Sequence, residues 1–163
     1  MKVGIFIGSD SDFPIVEDAI HLMKRFEVEF GLEVTSAHRS PERTKTLIKG
    51  YEKNGVAVFI AVAGKAAHLA GVVASHTTRP VIGVPVGGSG LGGLDALLST
   101  SQMPKGIPVA CMGIGKSGAS NAALLAIQIL ALAEPALEEK LKDHRLKMTE
   151  NVESASRKIQ GKL

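Results

Sequence analysis

Val3-Gly4-Ile5-Phe6-Ile7-Gly8-Ser9-Asp10-Ser11-Asp12 sets the reading of the whole chain. Val3 to Ile7 is a continuous apolar run without polar alternation, the mark of a strand buried on both faces of a parallel sheet. Gly8-Ser9-Asp10 ends it in a small polar turn. Asp12 and Pro14 then read as a helix N-cap and an early-turn proline. Ile15, Ala19, Leu22, Met23 and Phe26 follow at helical spacing. Strand, polar turn and amphipathic helix make the first half of a βαβ unit.

The unit recurs along the chain. Residues 28–36 read as a second strand, running into Thr35-Ser36-Ala37-His38. Ser40-Pro41-Glu42 opens a helix that Asn54-Gly55 closes. Val56 to Val62 is a third inner strand, followed by the loop Ala63-Gly64-Lys65 and a helix from Ala66. Pro80 to Val86 and Gly106 to Ile114 are the fourth and fifth strands, and Leu124 to Leu132 is an apolar helix. Strands alternating with helices predict an α/β fold, a three-layer α-β-α sandwich around a central parallel sheet of the flavodoxin or Rossmann kind. Ligands of such sheets lie beyond the carboxyl ends of the strands. Here those ends are Gly8-Ser9-Asp10, Ser36-Ala37-His38-Arg39 and Ala63-Gly64-Lys65.

Composition narrows the function. The 163 residues include 45% hydrophobic and 21% charged, a globular balance for one domain. A single cysteine, Cys111, excludes a disulfide framework and points to a reducing compartment. Aromatics at 4%, without Trp, argue against a stacking platform for single-stranded nucleic acid, and a net charge of +3 is too small for a DNA footprint. The opening residues have no signal-peptide pattern, and no run nears the ~20 apolar residues of a membrane span. A cytoplasmic protein with no nucleic-acid or membrane partner is expected.

Charge is unevenly spread. Residues 55–131 carry only Lys65, Arg79, Asp95, Lys105 and Lys116, whereas residues 134–163 carry seven Lys or Arg and six Asp or Glu. The charge-poor stretch is expected to be covered by sister subunits or, alternatively, to consist of inner strands and buried helices. Leu137, Leu141, His144, Met148, Val152, Ala155 and Ile159 form one apolar stripe on a charged helix, a shape suited to lying along a partner. Residues 1–133 are therefore read as the α/β part, and 134–163 as a helical extension packing on a neighbouring subunit.

Three strand-end segments could do chemistry. The Gly8–Asp12 turn offers backbone N–H groups at a helix start, with Ser9 and Ser11 hydroxyls and an Asp12 carboxylate able to accept from a ribose hydroxyl. Ordinary turn and capping chemistry is the alternative. In Ser36-Ala37-His38-Arg39, an imidazole stands beside a guanidinium that can hold a phosphate through two bonds. A capped surface turn would explain the same residues. Ala63-Gly64-Lys65-Ala66-Ala67-His68 joins small residues, which admit a flat ligand, to a lysine and a second histidine. His68 reads either as a structural or subunit-contact histidine or as a proton shuttle. His21, His76 and His144 lack partners at ligand spacing, so no metal site is expected. Cys111 reads as buried and inert, and Asp95 as a helix cap or polar contact.

Together these segments resemble the 5-(carboxyamino)imidazole ribonucleotide mutase family of purine biosynthesis, also described as the catalytic subunit of phosphoribosylaminoimidazole carboxylase. The likeness covers residues 3–133. It also takes in Pro80-Val81-Ile82-Gly83-Val84-Pro85-Val86, Gly93-Leu94-Asp95, Gln102-Met103-Pro104 and Asn121-Ala122-Ala123-Leu124-Leu125-Ala126. The resemblance implies that Ser9, Asp12 and Arg39 bind a ribonucleotide, with Ser11 and Ser36 assisting at its phosphate. His38 would be the general acid/base, and His68 is kept as a second catalytic candidate. The loop Gly64, Lys65 and Ala66 would hold imidazole and carboxylate. It further implies an octamer and no need for ATP, biotin or metal. One residue departs from the pattern. The mutase branch usually has Gly where this chain has Lys65, while the branch that carboxylates aminoimidazole ribonucleotide directly tends to carry a basic residue followed by Ser-Asn. Here Ala66-Ala67-His68-Leu69 follows, as in the mutases. In the mutase reading the Lys65 ammonium is expected to face solvent or a neighbouring subunit.

Overall fold

The computed structural model describes residues 1–163, which divide into two compact units, Met1–Ile127 and Gln128–Leu163. In the first unit the strands are β1 (Val3–Ile7), β2 (Phe30–Val34), β3 (Val58–Gly64), β4 (Val81–Val86) and β5 (Ala110–Cys111). The helices are α1 (Phe13–Arg25), α2 (Pro41–Lys53), α3 (Leu69–His76), α4 (Leu94–Ser101) and α5 (Lys116–Ala131), the last crossing into the second unit. The second unit contains the 26-residue α6 (Pro135–Gln160).

All strand pairs are parallel, in the order β2-β1-β3-β4-β5. The chain steps one way from β1 to β2 and the other way from β2 through β3 and β4 to β5. Right-handed crossovers then put α1 on one face and α2, α3 and α4 on the other. Side chains agree. Phe6, Phe59 and Ala61 cluster with Ile48 and Tyr51 of α2 and Leu69 and Val73 of α3. Phe6 meets Tyr51 edge-on with ring centroids 5.3 Å apart. On the same face Gly83 has no room for a side chain, since a Cβ there would run into the Thr100 methyl of α4. The predicted parallel α/β architecture is the one observed.

Register decides what meets at the carboxyl edge. Ile7 lies opposite both Val34 and Val62, while β3 runs two residues further, to Gly64 opposite Val86. Several predicted boundaries move. β2 stops at Val34, because Ser40 folds back over the next residues: its hydroxyl accepts from the Ser36 N–H at 3.0 Å and its own N–H donates to the Ser36 carbonyl. β3 begins at Val58, since the Val56 N–H closes the end of α2 on the Tyr51 carbonyl around left-handed Gly55. Gly64 is thus a strand residue. α3 starts at Leu69, not Ala66, with His68 at its N-cap position. β5 shrinks to two residues because Pro108 has no N–H to donate and Gly106 and Gly115 turn the flanking chain through positive φ. α5 is longer than expected, starting directly after that glycine. Cys111 is only half-buried, and burial raises its thiol pKa, so it stays protonated and unreactive at neutral pH.

Candidate active site

A cleft of about 570 Å³ opens beyond the carboxyl ends of β1, β2, β3 and β4, a size usual for a small-molecule site. Its walls bring together all ten sequence-predicted residues except His68: Ser9, Ser11 and Asp12 after β1; Ser36, His38 and Arg39 after β2; Gly64, Lys65 and Ala66 at the end of β3. His68 reaches it through His38. A shallower groove of about 660 Å³ runs beside edge strand β2 past Phe13, Val34 and Arg43, without a histidine.

The turn after β1 is closed by its own bonds. Asp10–Asp12 forms a 3-10 turn capped by Ser9, and Asp12 stands at the N-cap position of α1 as predicted, although its side chain makes no capping bond to that helix. The Ser9 Oγ accepts from the Ser11 N–H at 3.3 Å, and the Asp12 carboxylate reaches back to accept from the Ser9 N–H at 3.1 Å, a capping box. The Gly8 N–H donates to Val62 and the Asp12 N–H to the Ser9 carbonyl. Backbone donors expected to be open to an anion are therefore occupied. What the turn presents to the cleft is hydroxyls: Ser11 Oγ donates to Ser9 Oγ at 2.9 Å, and Ser9 Oγ to Asp10 at 3.0 Å. Both can rotate to a ligand. Burial raises the Asp12 pKa, against the opposing pull of the Ser9 N–H, whereas the Ser9 hydroxyl lowers that of Asp10.

The loop after β2 is held from beneath. Buried Thr35 and Thr44 share a 2.7 Å hydroxyl hydrogen bond, and the Ser40 hydroxyl donates to the Ser36 carbonyl. On that base Arg39 stretches across the strand ends. Its Nη2 donates to the Gly8 carbonyl at 3.0 Å, and its Nε to the Ser36 Oγ at 3.4 Å. The guanidinium is thereby fixed beside the serine hydroxyls with donors to spare.

His38 points to the turn after β3. Its Nε2 lies 2.8 Å from Nδ1 of His68, the rings nearly perpendicular at 78°. One ring donates and the other accepts, so a single proton lies between them, and the remaining nitrogen of each ring can exchange a proton outward. The pairing comes from sheet order: β1 separates β2 from β3, and the two loops close over its end. Their separation of 30 residues hides this from the sequence.

Sequence reasoning missed one wall. Val86, Gly87 and Gly88 line the cleft beyond β4. The rule that ligands lie at carboxyl ends of strands applies to β4 as well, and the two glycines after Val86 were the available signal. Asp95 instead accepts from the Ser89 hydroxyl at 2.7 Å, bracing the loop that leaves this wall.

The sequence profile of the AIR carboxylase family matches residues 2–151. The chain belongs to that family. A Pyrococcus abyssi relative is 53% identical over 144 residues, 88% of this chain and 82% of its own. One from Methanocaldococcus jannaschii is 50% identical over 155 residues, covering 95% of both chains. One from Escherichia coli is 46% identical over 151 residues, 93% of this chain and 89% of its own. All three are named N5-carboxyaminoimidazole ribonucleotide mutase. The crystal structure of Treponema denticola PurE is similar to this family member with a TM-score of 0.85 and 27% identity, over 93% of this chain and 94% of that one.

Proposed function

We propose that the protein converts 5-(carboxyamino)imidazole ribonucleotide to 4-carboxy-5-aminoimidazole ribonucleotide in purine biosynthesis, an isomerisation that moves a carboxylate from the exocyclic nitrogen to ring carbon 4. The observation that carries this reading is the His38–His68 pair beside Arg39 in one cleft, in a chain about half identical to proteins named as that mutase.

The steps use few groups. Arg39, with the hydroxyls of Ser9, Ser11 and Ser36, holds the phosphate, and Asp12 accepts from the ribose. Gly64, Lys65 and Ala66 border the imidazole. His38 donates a proton to the exocyclic nitrogen as the nitrogen–carbon bond of the carbamate breaks, releasing carbon dioxide within the cleft. The electron-rich ring then attacks carbon dioxide through carbon 4. His38 finally removes the proton from carbon 4, restoring the aromatic ring and its own charge. Protons and electrons balance, so no cofactor is consumed. His68 orients the His38 ring through the shared hydrogen bond. Holding carbon dioxide next to the ring supplies proximity.

A second reading, direct carboxylation of aminoimidazole ribonucleotide by carbon dioxide, is favoured by Lys65. The two separate in one assay. Purified protein is incubated with each ribonucleotide, with and without bicarbonate, while the 4-carboxylated product is followed. The mutase produces it from the carbamate without added bicarbonate and is slow with aminoimidazole ribonucleotide plus bicarbonate; the opposite pattern selects the carboxylase.

We place the enzyme in the cytoplasm as a homo-oligomer, an octamer in the family pattern, with residues 134–163 contributing the subunit contact. No helix is long and apolar enough to cross a membrane. Leu146, Val152 and Ile159 of α6 are each more than 60% exposed, and so is Leu91 ahead of α4, apolar surface that subunit contact would cover. Sedimentation of the full chain tests this.

A further inference from the structure

Only two residues other than glycine adopt a left-handed backbone, Glu27 and Lys65. Glu27 is accounted for by position. It follows α1, and the neighbouring Val28 N–H closes on the Met23 carbonyl, the turn that ends many helices in a left-handed residue. Lys65 ends no helix. It has φ +56° immediately after β3, on the cleft wall, between Gly64 and Ala66. Glycine takes this conformation freely, whereas a side chain resists it. Such outliers persist where the surroundings impose them and cluster at functional sites.

The charges in the cleft differ in how they are held. Arg39 is anchored by the Gly8 carbonyl and the Ser36 hydroxyl. Asp12 accepts from the Ser9 N–H. The Lys65 ammonium has neither a hydrogen bond nor an ion pair. The cleft thus has one fixed cation beside the hydroxyl cluster and one free cation at the end of β3. On the mutase reading, the ligand likewise has two anionic groups, a phosphate and a carboxylate, at opposite ends. We infer that Lys65 is a specificity residue whose ammonium binds the ligand's carboxylate, so that the cleft prefers the carboxylated ribonucleotides over the carboxylate-free one. This revises the expectation that the ammonium serves only solvent or a neighbouring subunit, and it rests on the function proposed above. Because substrate and product both carry the carboxylate, the contact helps both alike. Losing it raises KM more than it lowers kcat.

The test compares two ligands with the same phosphate and ribose: 4-carboxy-5-aminoimidazole ribonucleotide and aminoimidazole ribonucleotide. Calorimetry gives Kd for wild type, Lys65→Gly, which frees the backbone, and Lys65→Met, which keeps a side chain of similar length without charge. Both variants are expected to weaken the carboxylated ligand about fivefold to tenfold, and the carboxylate-free one less than twofold. Turnover of the carbamate substrate should show the same rise in KM with kcat within about threefold. Equal loss for both ligands, or no loss in Lys65→Met, overturns the inference and leaves the mutase reading standing. If wild type binds neither ribonucleotide, that reading falls and the inference with it.

Discussion

The turns after β1 and β3 occupy equivalent places in the fold and are built in opposite ways. Gly8–Asp12 directs its amides, two hydroxyls and two carboxylates to one another. In Ala63–His68 the backbone closes on itself, the Ala67 N–H on Lys65 and the His68 N–H on Ala66, but the side chains do not: Lys65 is unpaired, and His68 reaches across to His38. A self-satisfied turn keeps its shape with or without a ligand, and so suits a part of the ligand that never changes, the phosphate and ribose. A turn with free polar groups is completed by the ligand, and so suits the end where bonds break and form. Between them the loop after β2 gives one residue to each side, Arg39 to the first turn and His38 to the second.

The largest expected effect lies on the reactive side. His38→Asn keeps a hydrogen-bonding group opposite His68 but cannot carry the proton. Turnover of the carbamate substrate should fall at least a hundredfold, in the range general acid–base catalysis supplies, while ribonucleotide affinity and Tm stay near wild type. More than about a tenth of wild-type turnover removes His38 from the mechanism. If affinity falls along with the rate, the division between the two sides breaks.

How much of this could be read from the chain follows from the range of each signal. The Val3–Ile7 strand, the helix opened at Pro41 and the three strand-end segments rest on short apolar runs, prolines and glycines, and all are found in the structure. What depended on hydrogen bonds between neighbours was misread. Asp12 stands at the N-cap of α1 ahead of Pro14, yet its carboxylate makes no bond to that helix and turns back to the Ser9 N–H instead. The Gly106–Ile114 strand is apolar enough but has Pro108 and its glycines against it, leaving two paired residues. The His38–His68 contact and the Val86–Gly88 wall arise only when sheet order brings distant strand ends together. The left-handed backbone at Lys65 has no sign in the residue itself, and its one hint is the glycine usual at that place in the mutase branch.

On the holding side the expected loss is smaller and selective. Arg39→Lys keeps the charge but loses the planar donor set that spans the Gly8 carbonyl and the Ser36 hydroxyl. Affinity for the phosphorylated ligand should drop about tenfold, near 1.4 kcal/mol, with little change for the dephosphorylated riboside. Equal loss for both would mean that Arg39 serves the turn's architecture rather than the phosphate.

The smallest effect distinguishes a built-in cost from a ligand contact within the self-satisfied turn. Burial raises the Asp12 pKa above its ordinary value of 3.8, with the Asp10 charge adding to the rise and the Ser9 N–H opposing it. A carboxyl whose pKa is higher in the folded chain favours folding while it is protonated. That contribution is full below pH 3.8 and is lost as pH rises through the folded value, so at neutral pH the ionised Asp12 opposes folding. Asp12→Asn keeps an oxygen to accept from the Ser9 N–H and carries no charge. Since Asp12 is only half-buried, the gain is modest: Tm should rise by about one to two degrees at pH 7, with the difference closing below pH 3.8 where wild type is itself neutral. On the proposed function, in which Asp12 serves the ribose and not the phosphate, the same variant should bind the ribonucleotide and its riboside more weakly by a similar factor. A lower Tm at pH 7 would show that the turn needs the charge for its own closure. Asp12 would then belong to the architecture alone, and the ribose would be held by the hydroxyls of Ser9 and Ser11.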